Sequence, residues 1–395
     1  MTNAREEVLT KQLVKIAEEQ GYGSPEFTVA AVPTTGSNFT SELFHATITA
    51  PGREDLNVFA KVAVLGEDIR KFMPQKIFEV ERYVYTELLE TYNELEDRHE
   101  VPEEHRLVAP KFYGYSESYL EEVIVLEDLS IGGFEPYDRF RPLEWEYAAS
   151  AVEELAKLHG LSIAFQEECP NDYEEAKKVL KTTPIDLGDG ISYDEILFST
   201  IDKTIQMIHE DTRPRVQKLF REKFTPSCLF NPVGKRMVVV HGDFKHVNLM
   251  HKTDENGKLQ VIPIDYQTLR PSCAASDLLF FIFNCSDGKF RKQYYHQLIE
   301  HYYNSVTAVL RRLHLDPEVV FPRADFDEDL KDMIPHALMY SVIVLPIFYV
   351  EQSDVRQVEP DESLESMKSI MMNPSNLCAQ RLNEIVDDCV RWGAI

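Results

Sequence analysis

The alternation of apolar and polar residues divides the chain into a strand-rich first third and a mostly helical remainder. A helical period predicts an amphipathic helix over Asn3–Gln20. Two-residue periods then predict two groups of strands, separated by a helix from about Pro74 to about Leu95. The predicted strands are Phe27–Pro33, Ser41–Thr49, Leu56–Leu65, Lys111–Tyr115 and Val123–Glu127.

The second part of the chain begins after a candidate hinge at Gly132-Gly133, since paired glycines break regular structure. From Pro142 the pattern is mostly helical, and the last stretch, Asp361–Val390, is expected to pack helices onto this part. The firmest predicted helices are Glu144–Leu161, which we expect to stop at Gly160, Tyr193–Ile208, Ala275–Asn284 and Arg291–Leu313. We therefore expect an α+β protein with an N-terminal lobe at 1–130 and a C-terminal lobe at 131–395.

Two short apolar strands within the helical part lead into polar residues. Met237–Val240 is followed by the run H-G-D-x-x-x-x-N, which holds Asp243 and Asn248. A second strand ends at Asp265, and Asn256-Gly257 between the two is a strong hairpin signal. The three polar side chains are therefore expected to converge at the mouth of one hairpin.

Such a set suits phosphoryl transfer from ATP. One carboxylate receives the proton of the attacking hydroxyl, while an Asn and a second carboxylate hold Mg²⁺ on the phosphates. The alternative is a solvated turn in which Asp and Asn side chains only cap the backbone.

Lys61 lies in the middle of an apolar strand, on the same face as Phe59 and Ala63. A lysine there is costly unless it meets an anion, although an edge-strand lysine that blocks aggregation is the alternative. In the following helix Glu81 falls on the apolar stripe of Ile77, Val80, Val84 and Leu88. We expect Glu81 to pair with Lys61, unless it occupies a partly exposed, snorkelling position.

The composition is that of an ordinary soluble protein with an acid excess. Hydrophobic residues make up 44% and charged residues 27%, and 41 Lys and Arg against 67 Asp and Glu give a net charge of −26. This charge disfavours nucleic acid and anionic membranes as partners. A triphosphate site would have to be a local positive pocket.

Targeting signals and cysteine spacing point to a cytoplasmic protein. No apolar run reaches the ~18 residues of a membrane span, and Met339–Val350, the longest candidate, contains Pro346. The first residues lack the basic start and apolar core of a signal peptide. Six cysteines show neither a C-x-x-C pair nor zinc spacing, so we expect reduced thiols.

These motifs together resemble the ecdysteroid kinase-like family, on the aminoglycoside and choline kinase branch of the protein-kinase-like superfamily. The resemblance is carried by the Gly after His241, by Tyr266-Gln267 after Asp265, and by Phe78-x-x-Glu81-x-x-x-Tyr85. It covers about Phe27 to Val390. It implies a two-lobe kinase-like fold with a small β-rich N-terminal lobe, one key helix, and a larger, mostly helical C-terminal lobe.

The resemblance also implies roles for the second half of the site. Asp243 would be the catalytic base, His241 would brace its loop, and Asn248 and Asp265 would bind Mg²⁺. Lys245 and His246 lie in the same loop, and either could touch the phosphate that is transferred. Many relatives carry an aromatic residue where this chain has Lys245.

For the nucleotide half, the resemblance implies that Lys61 and Glu81 orient the α- and β-phosphates of ATP. The backbone from Glu127 to Leu129 would bond the adenine edge, although Glu127-Asp128 could be only a polar strand end. A loop containing Gly36, Ser37 and Asn38 would cover the phosphates through backbone N–H groups and side chains. The family usually has an acidic residue at the position of Ser37.

Two further residues of the helical part have open interpretations. His159 is expected to be structural, packed beneath the catalytic loop. Asp277 opens an apolar helix, where it is either a helix cap or, as in kinase-like folds, the residue that holds the backbone of the catalytic loop.

The function implied by the resemblance is ATP- and Mg²⁺-dependent phosphorylation of a small-molecule alcohol. The expected acceptor is an ecdysteroid, at its 22-hydroxyl, which would become an inactive, water-soluble conjugate. Alternatives are a detoxifying kinase of xenobiotic alcohols, a choline- or aminoglycoside-type kinase, and a non-catalytic binding protein on a kinase scaffold. The oligomeric state is not predicted.

Overall fold

The computed structural model describes residues 4–33, 40–70, 76–182, 193–225, 234–349 and 375–395. Its first part is built on a five-stranded antiparallel sheet in the order β1-β2-β3-β5-β4. The strands are β1 Glu26–Ala31, β2 Ser41–Thr49, β3 Leu56–Ala63, β4 Phe112–Ser116 and β5 Val123–Glu127. All five predicted strands are thus present, two of them with the predicted ends and three with ends shifted by one or two residues.

One face of this sheet is covered by helix α1, Ala4–Glu19, whose Leu9, Leu13 and Ile16 are fully buried against it. The alternation along β3 turns Val58, Ala60 and Val62 toward α1 and turns Lys61 and Ala63 toward the other face. In register, Lys61 lies between Leu43 of β2 and Ile124 of β5. The sheet therefore carries Lys61 in a central strand, so the edge-strand interpretation is wrong.

The second face packs against the helix that the sequence predicted between the strand groups. After the short helix α2, Glu67–Arg70, this element runs as α3 Ile77–Tyr83, a π-helical turn Val84–Leu88, and α4 Leu89–Arg98. Its predicted start at Pro74 lies outside the described residues. The π turn brings Tyr85 inward, where its ring stacks on Phe112 at 5.9 Å.

The second part is mostly helical, as predicted. Its helices are α5 Trp145–Glu168, α6 Pro170–Leu180, α7 Tyr193–Gln206, α8 Arg213–Lys223, α9 Ala274–Cys285, α10 Gly288–Arg312, α11 Pro317–Val320, α12 Arg323–Phe348 and α13 Asn376–Arg391. Two of them, α9 and α12, pack on each other at the centre of a large apolar core that α13 also joins. Of the predicted stretch Asp361–Val390, residues 361–374 lie outside the described part.

The expectation that a helix stops at Gly160 is wrong. Helix α5 continues through Gly160 to Glu168. A Cβ at Gly160 would lie 2.5 Å from Cγ1 of Val309, so the glycine allows close packing of α5 on α10. Glycine therefore serves helix packing here and does not end the helix.

Short strands in the second part form the predicted hairpin. β8 Leu249–Thr253 pairs with β9 Leu259–Pro263, and Gly257 in the connecting turn has φ +81°. Strand β6, Glu135–Pro136, adds to β8, while β7 Met237–Val240 pairs with β10 Arg270–Cys273. The apolar strands that precede the two polar motifs, β7 and β9, are therefore each paired with another strand. Since β8 and β9 form the predicted hairpin, the hairpin prediction is confirmed.

The connection between the two parts is a 3-10 turn, Leu129–Gly132, ended by Gly133 at φ +81°. The Gly132-Gly133 break is thus real, whereas the division of the chain at residue 130 stays a prediction. Among the described helices, α12 alone is long and apolar enough to cross a membrane by length and composition, and more than half of the relevant window is buried inside the protein. The length of uninterrupted apolar runs does not predict this property, because charged and polar residues interrupt the apolar run within α12.

Candidate active site

Lys61 joins two carboxylates that come from different parts of the chain. Its Nζ lies 2.7 Å from Glu81 Oε1, on α3, and 2.6 Å from Asp265 Oδ1, just after β9. Lys61 and Glu81 are 6% and 1% exposed, so the pair is shielded from water. The predicted ion pair between Lys61 and Glu81 is present, and the snorkelling interpretation of Glu81 is wrong.

The charges of this triad follow from its burial. Burial alone would lower the pKa of the Lys61 ammonium, but the charges of Asp265 and Glu81 raise it above its ordinary value. Burial raises the pKa of Glu81 to about 6, against the opposing charge of Lys61. Burial would also raise the pKa of Asp265, but Lys61 more than offsets this effect and the pKa is lowered. At neutral pH two carboxylates therefore share one ammonium.

Asp265 is held in a strained backbone conformation. Its φ of 68° and ψ of 57° lie in the left-handed region, which costs a non-glycine residue roughly 1–2 kcal/mol. Gln267, in the 3-10 turn that follows, accepts a bond from Thr40 at the start of β2 at 3.2 Å and lies 3.4 Å from Asp265 Oδ2. The turn is thereby tied to the sheet above it.

Asp243 lies in the loop after β7, together with Lys245 and Asn248. Its Oδ2 accepts from Lys245 Nζ at 2.7 Å and from Asn248 Nδ2 at 3.1 Å, and its carbonyl accepts from the same amide at 3.0 Å. Because the Asn248 amide N–H groups point at Asp243, the Asn248 Oδ1 atom points elsewhere, and no described residue donates to it. Asp243 and Asn248 thus form one hydrogen-bonded unit.

His241 connects this loop to the strand that leads to Asp265. Its Nε2 lies 3.0 Å from the carbonyl oxygen of Ile264, which can only accept, so Nε2 carries the proton. The other nitrogen, Nδ1, then accepts from the backbone N–H of Asp243 at 3.4 Å. Burial lowers the pKa of His241, which favours this neutral form. The geometry is that of a brace between the two loops, as expected.

Asp277 holds the backbone of the same loop. Its two carboxylate oxygens accept from the N–H groups of His241 at 2.6 Å and of Gly242 at 2.9 Å. Burial would raise the pKa of Asp277, but the hydrogen bond from His159 helps to lower it. The backbone-holding interpretation of Asp277 is therefore the one the structure shows. His159 is fully buried between Asp277 and the Tyr302 hydroxyl, which matches its expected structural role.

Gly242 is required by its surroundings. It has φ +81°, and a Cβ there would overlap the guanidinium of Arg270 and lie 2.5 Å from the Thr268 carbonyl oxygen. Arg270 is buried beside it and donates to that same carbonyl at 3.1 Å. Gly242 of the H-G-D run therefore leaves the space that the side chain of Arg270, from β10, occupies.

The predicted adenine edge lies at the end of β5. The backbone N–H of Glu127 donates to the Lys111 carbonyl at 2.7 Å, so it is already satisfied within the protein. Between Glu127 and Leu129, the buried Asp128 accepts from Ser130 and lies 2.6 Å from His45 Nδ1 on β2. Asp128 therefore fixes the turn relative to the sheet, a role that its position at a polar strand end did not indicate.

Lys245 and His246, in the loop after β7, have different surroundings. Lys245 lies against Asp243, and its ammonium also sits over the ring of Phe348 at 4.6 Å from the centroid. His246 is 2% exposed, and burial lowers the pKa of its imidazole to about 3. Of these two residues, Lys245 is the one that contacts the carboxylate of Asp243. Gly36, Ser37 and Asn38 lie outside the described residues.

The oxygen atoms that could bind a cation come from both carboxylate and amide side chains. Within the described ranges, no group of three or more His, Cys, Asp or Glu side chains surrounds a common point. The donors near the hairpin are instead Asp265, Asp243 and the amide of Asn248. The roles of Arg270, Asp128 and Gln267 were not predicted from the sequence, and only the Gly of H-G-D indicated the close approach of one of them, Arg270.

The comparison with protein families covers most of this site. Residues 35–315, well over half of the chain, match the ecdysteroid kinase-like family. The chain belongs to the ecdysteroid kinase-like family. The resemblance to this family that the motifs carry is thereby confirmed, and the fold is α+β, with a β-sheet N-terminal region and a larger helical C-terminal region. Membership of the ecdysteroid kinase-like family supports a small-molecule kinase activity.

Several solved structures are similar in fold. The ethanolamine kinase of Plasmodium vivax is 10% identical with a TM-score of 0.46, over 100% of this chain and 92% of that one. A GDP complex of aminoglycoside 2'-phosphotransferase-IIIa is 11% identical with a TM-score of 0.47, over 95% and 97%. An aminoglycoside phosphotransferase of Streptomyces rimosus ATCC10970 with ADP and streptomycin is 15% identical with a TM-score of 0.35, over 78% and 97%. Scores this low carry no inference about activity. No curated protein matches the chain.

Proposed function

We propose that this protein is a kinase that uses ATP and Mg²⁺ to phosphorylate a hydroxyl of a small-molecule alcohol. The observation that carries the proposal is the position of Lys61, bonded to both Glu81 and Asp265 at 2.7 and 2.6 Å. A buried ammonium held by a helix carboxylate and a hairpin carboxylate is what a kinase uses to orient the phosphates of ATP.

The residues present suit Mg²⁺. Lys61 bonds Oδ1 of Asp265, whereas Oδ2 has only a 3.4 Å contact with Gln267 from the described residues. The amide oxygen of Asn248 faces away from Asp243, so it is available as a second oxygen ligand, an uncharged one. Hard cations prefer such oxygen ligands. Bound there, Mg²⁺ would supply positive charge that neutralises the phosphates.

The charge balance of the triad points the same way. Two carboxylates share the ammonium of Lys61, and the Asp265 side chain, at 20% exposed, is the accessible one of the two, whereas Glu81 is 1% exposed. A cation bound at Asp265 would balance the second negative charge. We infer that Asp265 is the metal ligand of the cluster and that Glu81 positions Lys61.

Asp243 is the base in this proposal. Its carboxylate is partly exposed, at 19%, and would accept the proton of the attacking hydroxyl. Lys245, now 2.7 Å from Asp243, is placed to move its ammonium toward the incoming phosphoryl group. His241 and Asp277 keep the loop in place through its backbone. These are proposed roles supported by the hydrogen bonds of the loop.

We favour an ecdysteroid as the acceptor, at its 22-hydroxyl, on the strength of the family. A cationic acceptor, such as choline or an aminoglycoside, would meet the ammonium of Lys245 beside Asp243. The two positive charges would repel each other, so the choline- and aminoglycoside-type alternatives are disfavoured. The wall next to Lys245 is aromatic, with Phe348 under the ammonium, and this suits a neutral, apolar body.

The non-catalytic alternative has no support from the residues. A degenerate scaffold would lack the strand lysine, the base or a metal ligand, and each of these is present in a bonded position. We also propose a cytoplasmic location, in line with the free thiols of the cysteines in the described part of the chain.

Phosphate transfer to a panel of alcohols tests the proposal. The purified protein is incubated with ATP and Mg²⁺ and with ecdysone, neutral xenobiotic alcohols, choline or an aminoglycoside, and products are read by mass. The expected result is one added phosphate on ecdysone and none on the cationic compounds. An Asp243→Asn variant serves as the control for contaminating kinases. Transfer to no alcohol by the native protein would favour the binding-protein alternative.

A further inference from the structure

A large cavity lies next to the turn that connects the two parts of the chain, separate from the candidate active site. Its volume is about 870 Å³, within the ~300–1,000 Å³ that is typical of small-molecule sites. Its walls come from the segment 103–109, from helices α5 and α10, and from the hairpin β8–β9. The described site residues Lys61, Asp243 and Asp265 do not line it. We refer to this space as the rear cavity.

Two basic side chains of the rear cavity have no anionic partner. Arg312 is the last residue of α10, and Lys258 comes directly before β9. Neither side chain forms an ion pair or a hydrogen bond within the described part of the chain. This is notable in a protein with a net charge of −26, in which carboxylates outnumber cations. Both cations are therefore available to an anionic ligand.

The electrostatics of His105 show that these cations lie near one another. Burial lowers the pKa of the His105 imidazole, and the positive charge of Arg312 lowers it further. Lys157 and Lys258 add to this effect, while the charge of Glu104 opposes it. Three positive side chains from α5, α10 and the hairpin therefore act on the same point of the rear cavity.

The carboxylates of the rear cavity do not cancel this charge. The lining holds five of them, and four already contact a cation or an N–H group at 2.6 to 3.9 Å: Glu154 with Lys157, Glu153 with His301, Glu103 with Arg106, and Glu127 with the backbone of Lys111. Within the described residues, Glu104 is the one carboxylate of the lining without such a contact. The unpaired cations therefore outnumber the unpaired carboxylates.

Apolar side chains make up much of the remaining lining. Val108 is 45% exposed although it is a large aliphatic residue. Phe134, Leu259 and Val309 are half-buried and come from three different elements. Small-molecule sites typically combine such an apolar surface with a few polar groups that fix the orientation of the ligand. The rear cavity has both features.

We propose that the rear cavity binds a second ligand, a small molecule that combines an apolar ring system with one anionic group. The ring system would lie against Leu259 and Val309. The anionic group, which could be a phosphate, a sulfonate or a carboxylate, would be bound by Arg312 and Lys258. This site goes beyond the proposed kinase function, because its ligand would not touch the reacting groups.

The position of the rear cavity allows its ligand and a nucleotide to bind together. Glu127 and Leu129 line it, and their backbone is the expected adenine edge. Lys252, also in the lining, has its Nζ 3.3 Å from the carbonyl oxygen of Gly132 in the connecting turn. A ligand there would therefore contact both parts of the chain next to the nucleotide and without replacing it.

Fluorescence titration with 8-anilinonaphthalene-1-sulfonate, an aromatic compound with one sulfonate, tests the site without any need for turnover. Arg312→Gln should weaken binding by at least about 10-fold, the loss of a hydrogen bond to a charged group. Arg311→Gln is the matched control, because Arg311 is the preceding residue of α10, is exposed and does not line the cavity. Lys258→Gln should weaken binding similarly, and its exposed position makes it independent of helix packing.

A neutral probe separates charge from apolar contact. N-Phenyl-1-naphthylamine has the same rings without the sulfonate, and it should bind the native protein and Arg312→Gln alike. Unchanged sulfonate affinity in folded Arg312→Gln and Lys258→Gln proteins would overturn the proposal. Equal losses in Arg311→Gln and Arg312→Gln would overturn it as well, since they would reflect only the general charge of the surface.

Competitors locate the ligand and define its class. A saturating non-hydrolysable ATP analogue with Mg²⁺ should leave the sulfonate bound, and displacement would place the probe in the nucleotide site and overturn the proposal. 1-Naphthyl phosphate should displace the sulfonate, whereas hexaglutamate should not. Displacement by the peptide alone would assign the cavity to an acidic protein segment and overturn the small-molecule proposal. Binding that depends on Arg312, in a protein that transfers no phosphate, would support the rear cavity and count against the kinase activity.

Discussion

The ammonium of Lys61 lies 2.6 Å from a carboxylate oxygen of Asp265, although the two residues are 204 positions apart in the chain. This bond ties the central strand of the N-terminal sheet to the turn after the C-terminal hairpin. Since Glu81 holds the same ammonium, three elements meet at one buried charge. The activity should therefore be sensitive to each of the three side chains.

Lys61→Met should slow turnover by at least ~100-fold, because the phosphates lose their main protein cation. The variant also leaves Glu81 and Asp265 facing each other without a counter-charge, which should lower the free energy of unfolding by roughly 3–5 kcal/mol. Steady-state kinetics and urea unfolding measure the two effects. Lys111→Met, on the exposed surface, is the control. A rate within about twofold of the native one would refute the role of Lys61.

Asp265→Asn should strongly weaken Mg²⁺-dependent ATP binding, since the amide oxygen can still be a ligand but carries no charge to balance a hard cation. Asparagine is the suitable replacement because it tolerates the left-handed backbone at this position, whereas alanine would add strain. The test is a titration with ATP in the presence and absence of Mg²⁺. Undiminished affinity for the magnesium complex would show that Asp265 is not a metal ligand.

Asp243→Asn should preserve folding and Mg²⁺–ATP binding, because the side chain keeps its shape. General-base assistance is worth roughly 10²–10⁴ in rate, so turnover should fall by about that factor. The loss should lie near the lower end, since phosphoryl transfer is largely dissociative in most analyses. Single-turnover phosphate transfer measures the chemical step. If a folded, ATP-binding variant were as fast as the native protein, another group would have to be the base.

Gly242→Ala should unfold more easily for two separate reasons. The left-handed backbone disfavours alanine, and its Cβ would also overlap the guanidinium of Arg270. Gly257→Ala is the matched control, since Gly257 has the same φ of +81° with nothing within 4 Å of a Cβ. We expect ~1–2 kcal/mol for the control and a further ~1–3 kcal/mol for the overlap. Equal losses in urea unfolding would show that both Arg270 and the Thr268 carbonyl move aside freely.

Local pattern predicted much of this structure, and distant packing explains the rest. The strands, the Asn256-Gly257 hairpin and the inward position of Glu81 follow from two- and 3.6-residue periods and from turn chemistry. The ion pair of Lys61 could be predicted because an isolated charge in an apolar segment needs a partner. Continuation of α5 through Gly160 could not, because it depends on Val309 of α10.

The residues that sequence reasoning missed share one property. Arg270 and Asp128 act through the space around them: the first fills the room left by Gly242, and the second caps a turn. No period or spacing in the chain reports such a contact. The roles of the residues in the nucleotide and metal sites remain predictions that the experiments above test.

The buried imidazole of His246 should make the protein less stable in acid. Burial lowers its pKa to about 3 from an ordinary value near 6.5. Below pH 6.5 the unfolded chain therefore binds a proton that the folded protein does not, and the free energy of unfolding falls as the pH drops toward 3. The contribution is about 1.4 kcal/mol per pH unit, or about 2 kcal/mol between pH 7 and pH 5.

In His246→Gln this dependence should be absent, so the difference in stability from the native protein should shrink by that amount. His209→Gln, at an exposed histidine, is the control for the loss of an imidazole. Urea unfolding at several pH values measures the difference, and parallel profiles for the native protein and His246→Gln would show that His246 accepts a proton in the folded state.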